Sequence, residues 1–549
     1  MRSILRFSVL SAALCLTTSL CLLSSSAICA ENAGQAALDE ATDLQLKAKT
    51  LSDWEKIITL TESALEKGLD DTNKDFAKQL MVSALWQHAS RLSGAILERT
   101  GVNPRWQAIR ELALKDLDKL VAQDEKFVDA YLLRAKLNAL PGGKRGDAIK
   151  AVDKAVELLG EDKKKKSDAL ILRSQLRQDG DERIADLNAA VEADPTNSAA
   201  WQARAGYYIA QGKLDKAAED FEKLLENNPN NSDVRRALCE ALINLQKYDL
   251  AMAQANKAIE LEPNSATNYV LRAQVYEAQE KSKEALADLD KAVEQDSQDL
   301  LARFMRARLR YLQDDLPGAR SDVDELLRQQ PGMVRGILLR SMIAASQGRV
   351  QAAIEDVRTL VNADPKNVEL RLQLASLYAA AKRPRKAIEM LTDLLKEEKD
   401  NWMVLRARGD ALLSVGKHEE AIKDYNQALK LKADDDGILN NLAWVLATST
   451  DDKLRDGRRA VELATKACEL TKFEKPHILS TLAAAYAETG DFDTAIKWSS
   501  KAVELGKDKL KDQTDQLQKE LDSYKKKEPV RELQNVEESP EPPSNVIET

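Results

Sequence analysis

The sequence predicts an all-α fold, a right-handed superhelical α-solenoid of antiparallel helix pairs, and three observations carry that expectation. Composition is the first: 549 residues hold 5% aromatics and 31% charged residues, with Ala, Leu, Lys, Glu, Asp and Arg dominant. That mixture suits long amphipathic helices packed on one another, and the alternation of Val, Ile and Tyr that marks sheets is nearly absent. The second is a constant step: Pro229, Pro263, Ser297, Pro331, Pro365, Lys399 and Ala433 stand 34 residues apart. The third is a pair of small-residue columns on the same step. Ala205, Cys239, Ala273, Ala307, Ser341, Ala375 and Gly409 form one, and Ala217, Ala251, Ala285, Ala319, Ala353, Ala387 and Ala421 the other. A period of this length is the mark of a repeat architecture, in which neighbours bury what one hairpin leaves open.

The elements follow in order. Residues 1–30 read as a signal peptide: Arg2 and Arg6 give a charged start, Phe7 to Leu23 an apolar stretch, and Ser24 to Ala30 small residues around a cut after Ala30. A lipid-modified Cys21 or Cys29 is disfavoured, because Leu20 and Ile28 are the wrong residues before the sulfur. The mature chain is then exported, periplasmic or secreted, with no stable membrane insertion after cleavage. It keeps only Cys239 and Cys468, both in small apolar positions and both expected as buried free thiols. Residues 31–124 are helical by period, with Trp54, Ile57 and Ile58 among the apolar positions, and read as degenerate capping repeats.

Residues 125–506 form the tandem array, about eleven units by period. Each unit is two helices joined by a tight turn, often at Gly212, Gly348 or Gly416. Small residues let the pair approach closely, and Pro ends the second helix. Trp201, Ala205, Tyr208, Ala217, Phe221 and Pro229 resemble the signature of the tetratricopeptide repeat family, and Gly409, Leu412, Gly416, Ala421, Tyr425 and Ala428 repeat it. The resemblance covers Val128 to Leu505 and implies a concave face, lined by first helices, that takes peptides or helices. Residues 507–527, with Leu510, Thr514, Leu517, Leu521 and Tyr524 at three- and four-residue steps, predict a C-terminal capping helix. Residues 528–549, with Pro529, Pro540, Pro542, Pro543 and many Glu, read as a disordered acidic tail.

Charges repeat as well. Arg204 is followed sixteen residues later by Asp220, and the same spacing joins Arg272 to Asp288, Arg306 to Asp322, Arg340 to Asp356, and Arg408 to Asp424. Where the Arg column holds Leu238 or Leu374, the Asp column holds Gln254 or Met390. Presence together and absence together point to a structural ion pair inside each hairpin, since a partner-binding Arg has no need of its own Asp. Arg173 and Asp186 look like the same pair across a shortened turn, while Arg134 faces Ala151 and departs from the pattern.

No chemistry-bearing constellation appears, so neither an enzyme nor a cofactor or metal site is expected. His88, His418 and His477 fall in different units without zinc spacing, and exposure beside the Gly416 turn is the expected setting of His418. Pro141 to Lys144 reads as a turn rather than a phosphate loop. Net charge is −9 with both signs interspersed, which excludes a nucleic-acid footprint. The run Lys163 to Lys166 reads as a solvated loop.

What remains is surface, and the expected partners are unidentified proteins or peptides, self-association included. Val270, Leu271, Phe304, Met305, Leu338, Leu339, Met342 and Leu372, with Arg308 and Arg335 among them, form a stripe along successive first helices. It is either packing between repeats or an exposed groove for a partner. Asn440, Asn441 and Arg406 only faintly echo a carboxylate clamp. The functional expectation is an envelope scaffold or adaptor; the alternative is a helical-repeat enzyme or enzyme subunit acting on envelope polymers.

Overall fold

The computed structural model describes residues 33–97, 103–178, 180–507 and 511–532. The expected signal peptide lies outside them, as does the tail from residue 533 onward. The chain divides into two compact units, residues 1–264 and 265–549, described in turn. The first holds α1 (Gln35–Gln45), α2 (Leu51–Lys67), α3 (Asp71–Leu97), α4 (Pro104–Gln123), α5 (Val128–Ala139) and α6 (Arg145–Leu158). It continues with α7 (Lys163–Leu176), α8 (Asp181–Ala193), α9 (Ser198–Ala210), α10 (Leu214–Asn227), α11 (Ser232–Asn244) and α12 (Tyr248–Leu261).

The second unit opens with α13 (Ala266–Ala278), α14 (Ser282–Gln295), α15 (Leu300–Leu312), α16 (Leu316–Gln329), α17 (Val334–Ser346) and α18 (Val350–Ala363). Next come α19 (Val368–Ala380), α20 (Pro384–Glu397), α21 (Trp402–Ser414), α22 (His418–Leu431) and α23 (Asp436–Thr448). A 3-10 turn at Asp452–Leu454 precedes α24 (Gly457–Leu470), α25 (Pro476–Glu488), α26 (Phe492–Gly506) and α27 (Lys511–Lys525). Among the described residues every regular element is helical.

Local chemistry repeats with the period. First helices start at Asn197, Asn231, Asp299, Asn367, Asn401 and Asp435, whose side chains accept backbone N–H bonds from the first turn. Seven successive hairpin turns place one left-handed residue at the same position. Gly212, Gly348 and Gly416 supply it at φ 68°, 76° and 73°. At the equivalent position Gln246, Glu280, Asp314 and Lys382 adopt φ 56° to 63° with a side chain in place. The geometry is dictated by hairpin closure, and glycine is only its least strained occupant. Both small-residue columns are buried throughout, where extra methylenes would cost about 1–3 kcal/mol. At Gly409 the reason is explicit: an added Cβ would lie 2.7 Å from the Tyr425 ring.

Outside the regular array the helices change length. In the first unit α3 runs 27 residues and packs between α2 and α4. In the second, α27 lays Leu517, Leu521 and Tyr524 against the core that also contains α26 residues Ala502 and Val503.

Three sequence-based expectations are corrected. The disordered tail was expected from residue 528, but residues 528–532 are docked. Lys527 takes a left-handed φ of 61°, and the Glu528 N–H bonds Ser523 O at 3.1 Å. The reversed chain then reaches α23: Val530 joins the core, Glu532 N–H bonds Thr448 O at 2.9 Å, and Arg531 pairs with Glu488 at 2.6 Å. Tertiary contact outweighs the polar composition there. The basic run is not a loop either, because Asp162 caps the helix and Lys163 to Lys166 form its first turn. His418 is 6% exposed rather than solvated. Its Nδ1 lies 2.8 Å from Ser449 Oγ, and burial holds its pKa below the ordinary value.

Candidate partner-binding surface

The five Arg–Asp pairs are bidentate forks between the helices of one hairpin. In the first unit, Arg204 places Nε 3.0 Å and Nη2 2.7 Å from Asp220. In the second, Arg272 reaches Asp288 at 2.7 Å twice, and Arg306 reaches Asp322 at 2.9 and 2.5 Å. Arg340 meets Asp356 at 3.0 and 2.6 Å, and Arg408 meets Asp424 at 2.7 Å twice. Arg173 and Asp186 pair differently: Arg173 Nε and Nη2 both reach Oδ1, at 3.0 and 2.5 Å, and Oδ2 accepts from Arg177 Nε at 2.7 Å. Asp220, Asp288, Asp322 and Asp424 are buried. The hydrogen bonds that each donates to its aspartate, the largest influence, hold Arg204, Arg272, Arg340 and Arg408 above the ordinary guanidinium pKa. These side chains serve the fold.

The sequence pattern missed half of the device. Several of these guanidiniums also reach back to the preceding hairpin's second helix: Arg204 to Asn188 at 3.0 Å, Arg306 to Asp290 at 3.0 Å and Arg408 to Thr392 at 3.3 Å. Arg134, which faces Ala151 in its own hairpin, pairs backward with Asp118 at 3.0 Å. The signal is a second column sixteen residues before each Arg, whose residue types vary because any oxygen acceptor suffices.

The apolar stripe is corrected as a groove. Val270, Leu271, Met305 and Leu339 are buried. Val270 and Met305 share one core cluster, Phe304 and Leu338 pack against the cluster holding Leu339, and Leu372 packs against the next. These side chains fill the seam between consecutive first helices, so their apolar character stabilises stacking. Met342 remains 43% exposed. Arg335 is exposed, and Arg308 holds Glu277 at 2.8 and 2.9 Å.

An open recess lies further along the second unit. Between α19 and α21 a cavity of ≈790 Å³ is floored by Ala375, Ala379, Ala407 and Ala411, with Lys382 and Asp410 at its margin. Alanines four apart on two neighbouring first helices put backbone and methyl groups where the seam elsewhere carries bulk. Asp410 is fixed: its Oδ1 accepts from Tyr425 Oη and Asn441 Nδ2, each at 2.8 Å. Burial pushes the Tyr425 phenol pKa upward, so it stays a donor. Arg406, part of the expected faint clamp, bonds Asp435 at 3.0 and 3.1 Å and also lies 4.0 Å from Asp410 Oδ2. The recess can hold an apolar side chain or a close-lying backbone and offer it one oriented carboxylate. Among the described residues no group of three or more His, Cys, Asp or Glu could hold a metal. Burial pushes the Cys239 and Cys468 thiols up to about 12, which leaves them protonated.

Family models described as Tetratricopeptide repeat match residues 208–275 and 344–408, and 177–232, 270–334 and 304–368. A model described as TPR repeat matches residues 409–448. No curated protein gives a significant match. Among solved structures, a tetratricopeptide repeat protein from Parabacteroides merdae is 18% identical over 45% of this chain and 97% of its own, at TM-score 0.36. YrrB, titled a TPR protein with an unusual peptide-binding site, is 22% identical over 35% and 98%, at TM-score 0.31. The Cut9-Hcn1 assembly of APC/C gives 15% identity over 84% and 98%, at TM-score 0.36.

Proposed function

From the premise that this chain belongs to the tetratricopeptide repeat family, we propose that it is an exported interaction scaffold, holding a partner protein in the alanine-floored recess between α19 and α21. The recess carries this reading. It is the place where successive first helices leave ≈790 Å³ unfilled beside a fixed carboxylate, while the expected stripe is consumed by packing. The residues singled out by type in the array are committed to structure: the Arg–Asp forks tie helices together, and the two mature cysteines are buried.

Filling the recess tests the binding role. Cross-linked capture from envelope extract should yield a defined partner with the native chain and lose it with Ala407→Trp, helicity being unchanged. An identical captured set from both would remove the recess from the account. Export rests on residues 1–30 and has its own test. Expression of the full chain in a Gram-negative host should give a periplasmic or secreted product beginning at Glu31, and an uncleaved cytoplasmic product would overturn it.

A further inference from the structure

A second recess, of ≈570 Å³, opens at the C-terminal end of the second unit among α23, α25 and α27. Trp444, Pro476 and Leu517 give it apolar walls. Within it Glu520 is only 4% exposed. The Glu520 carboxylate accepts from Ser480 Oγ at 2.5 Å and from Gln516 Nε2 at 3.0 Å, and among the described residues no Lys, Arg or His pairs with it. Glu532, carried there by the docked segment after α27, is a second carboxylate in the lining.

His477 and Thr481 also line the recess, and around Glu520 and Asn440 the nearby donors are already committed. The Trp444 indole N–H is spent on Glu532. Asn440 Nδ2 is spent on Asn441 Oδ1 at 3.0 Å, and Asn441 Nδ2 on Asp410 at 2.8 Å. Ser480 and Gln516 are spent on Glu520. Acceptors are left over. Asn440 is 9% exposed, and its Oδ1 is buried without a hydrogen-bond partner. A buried acceptor left unmet is costly, and so is a buried carboxylate without a counter-charge. Both demand the same thing from a ligand: donors and positive charge.

We propose that this recess binds an alkyl-guanidinium or alkyl-ammonium group, brought by an Arg or Lys side chain of the bound protein or by a free alkylamine. The inference rests on the scaffold reading only for the first of these sources. The alkyl stem lies along Trp444 and Leu517, where the indole face adds a cation–π attraction. The charged head meets Glu520 and Asn440 Oδ1, as a guanidinium with five donors can do at once. Burial already raises the Glu520 carboxyl pKa, and an adjacent cation opposes that shift.

Calorimetric titration of the full chain tests the assignment with two probes: agmatine, and an otherwise uncharged peptide containing one Arg. Glu520→Gln keeps the shape and the Ser480 contact, and should weaken both probes at least tenfold while the variant melts cooperatively. A peptide that binds more tightly than agmatine assigns the site to a protein side chain; the reverse assigns it to a free amine. Equal affinities in native and Glu520→Gln chains would overturn the proposal, as would equal binding of a citrulline-containing peptide. Partner capture by the α19–α21 recess is read separately from these titrations, so failure here and failure of that recess are separable.

Discussion

Asp322 and Glu520 are two carboxylates of the same unit, 2% and 4% exposed, and they are treated in opposite ways. Asp322, in the middle repeats, receives Arg306 at 2.9 and 2.5 Å and Arg310 at 2.9 Å, with Arg303 at 3.5 Å. Glu520, in the terminal cap, receives a hydroxyl and an amide. Where the cation is built into the chain, the buried charge is a structural rivet between helices. Where it is not, the carboxylate destabilises the fold slightly and is open to a cation from outside. Burial alone therefore says little about a charged group's role; what decides is whether its counter-charge is supplied by the same chain.

The comparison is broken most severely by leaving a rivet unpaired. Arg204→Ala strands Asp220, which among the described residues meets no other guanidinium, and should cost about 3–5 kcal/mol in urea unfolding. A cost under 1 kcal/mol would mean the pair behaves as an exposed one. Arg306→Ala should cost less, about 1–3 kcal/mol, because Arg303 and Arg310 still face Asp322. Glu520→Gln should have the opposite sign and raise the melting temperature at pH 7. Its folded-state pKa is raised, so the stability linked to that group is present below the unfolded pKa and is lost as pH rises through the folded one. The gap between variant and parent should therefore close as pH falls below about 4. The smallest effect is expected from converting a charged rung to an apolar one. Arg204→Leu with Asp220→Met copies the Leu374 and Met390 rung of the second unit, and should stay within about 1 kcal/mol of the parent. A loss near that of Arg204→Ala would show that the fork does more than fill space.

The residues that carried the fold in the sequence were those whose role is local. Pro229 ends a helix because it lacks an N–H, and the 34-residue step of Ala217 and its equivalents survives because a larger residue would part the helices. The Arg–Asp spacing was legible for a similar reason: both ends lie in one hairpin. The apolar stripe stayed open between packing and groove because exposure on a first helix depends on the next hairpin, and Val270 and Met305 share one core cluster from first helices separated by a whole helix. His418 misled for the same reason, its partner Ser449 lying 31 residues on.

The order of residues alone determined the all-helical class, the period, the place of the rivets and the commitment of Cys239 and Cys468 to packing, since short-range sterics and helical spacing act within one hairpin. Only tertiary packing decided which surfaces stay open: the alanine floor between α19 and α21, and the cap where Glu528 to Glu532 fold back on α23. Vacant space and unmatched charge belong to no single segment; they arise where distant segments meet and one of them falls short.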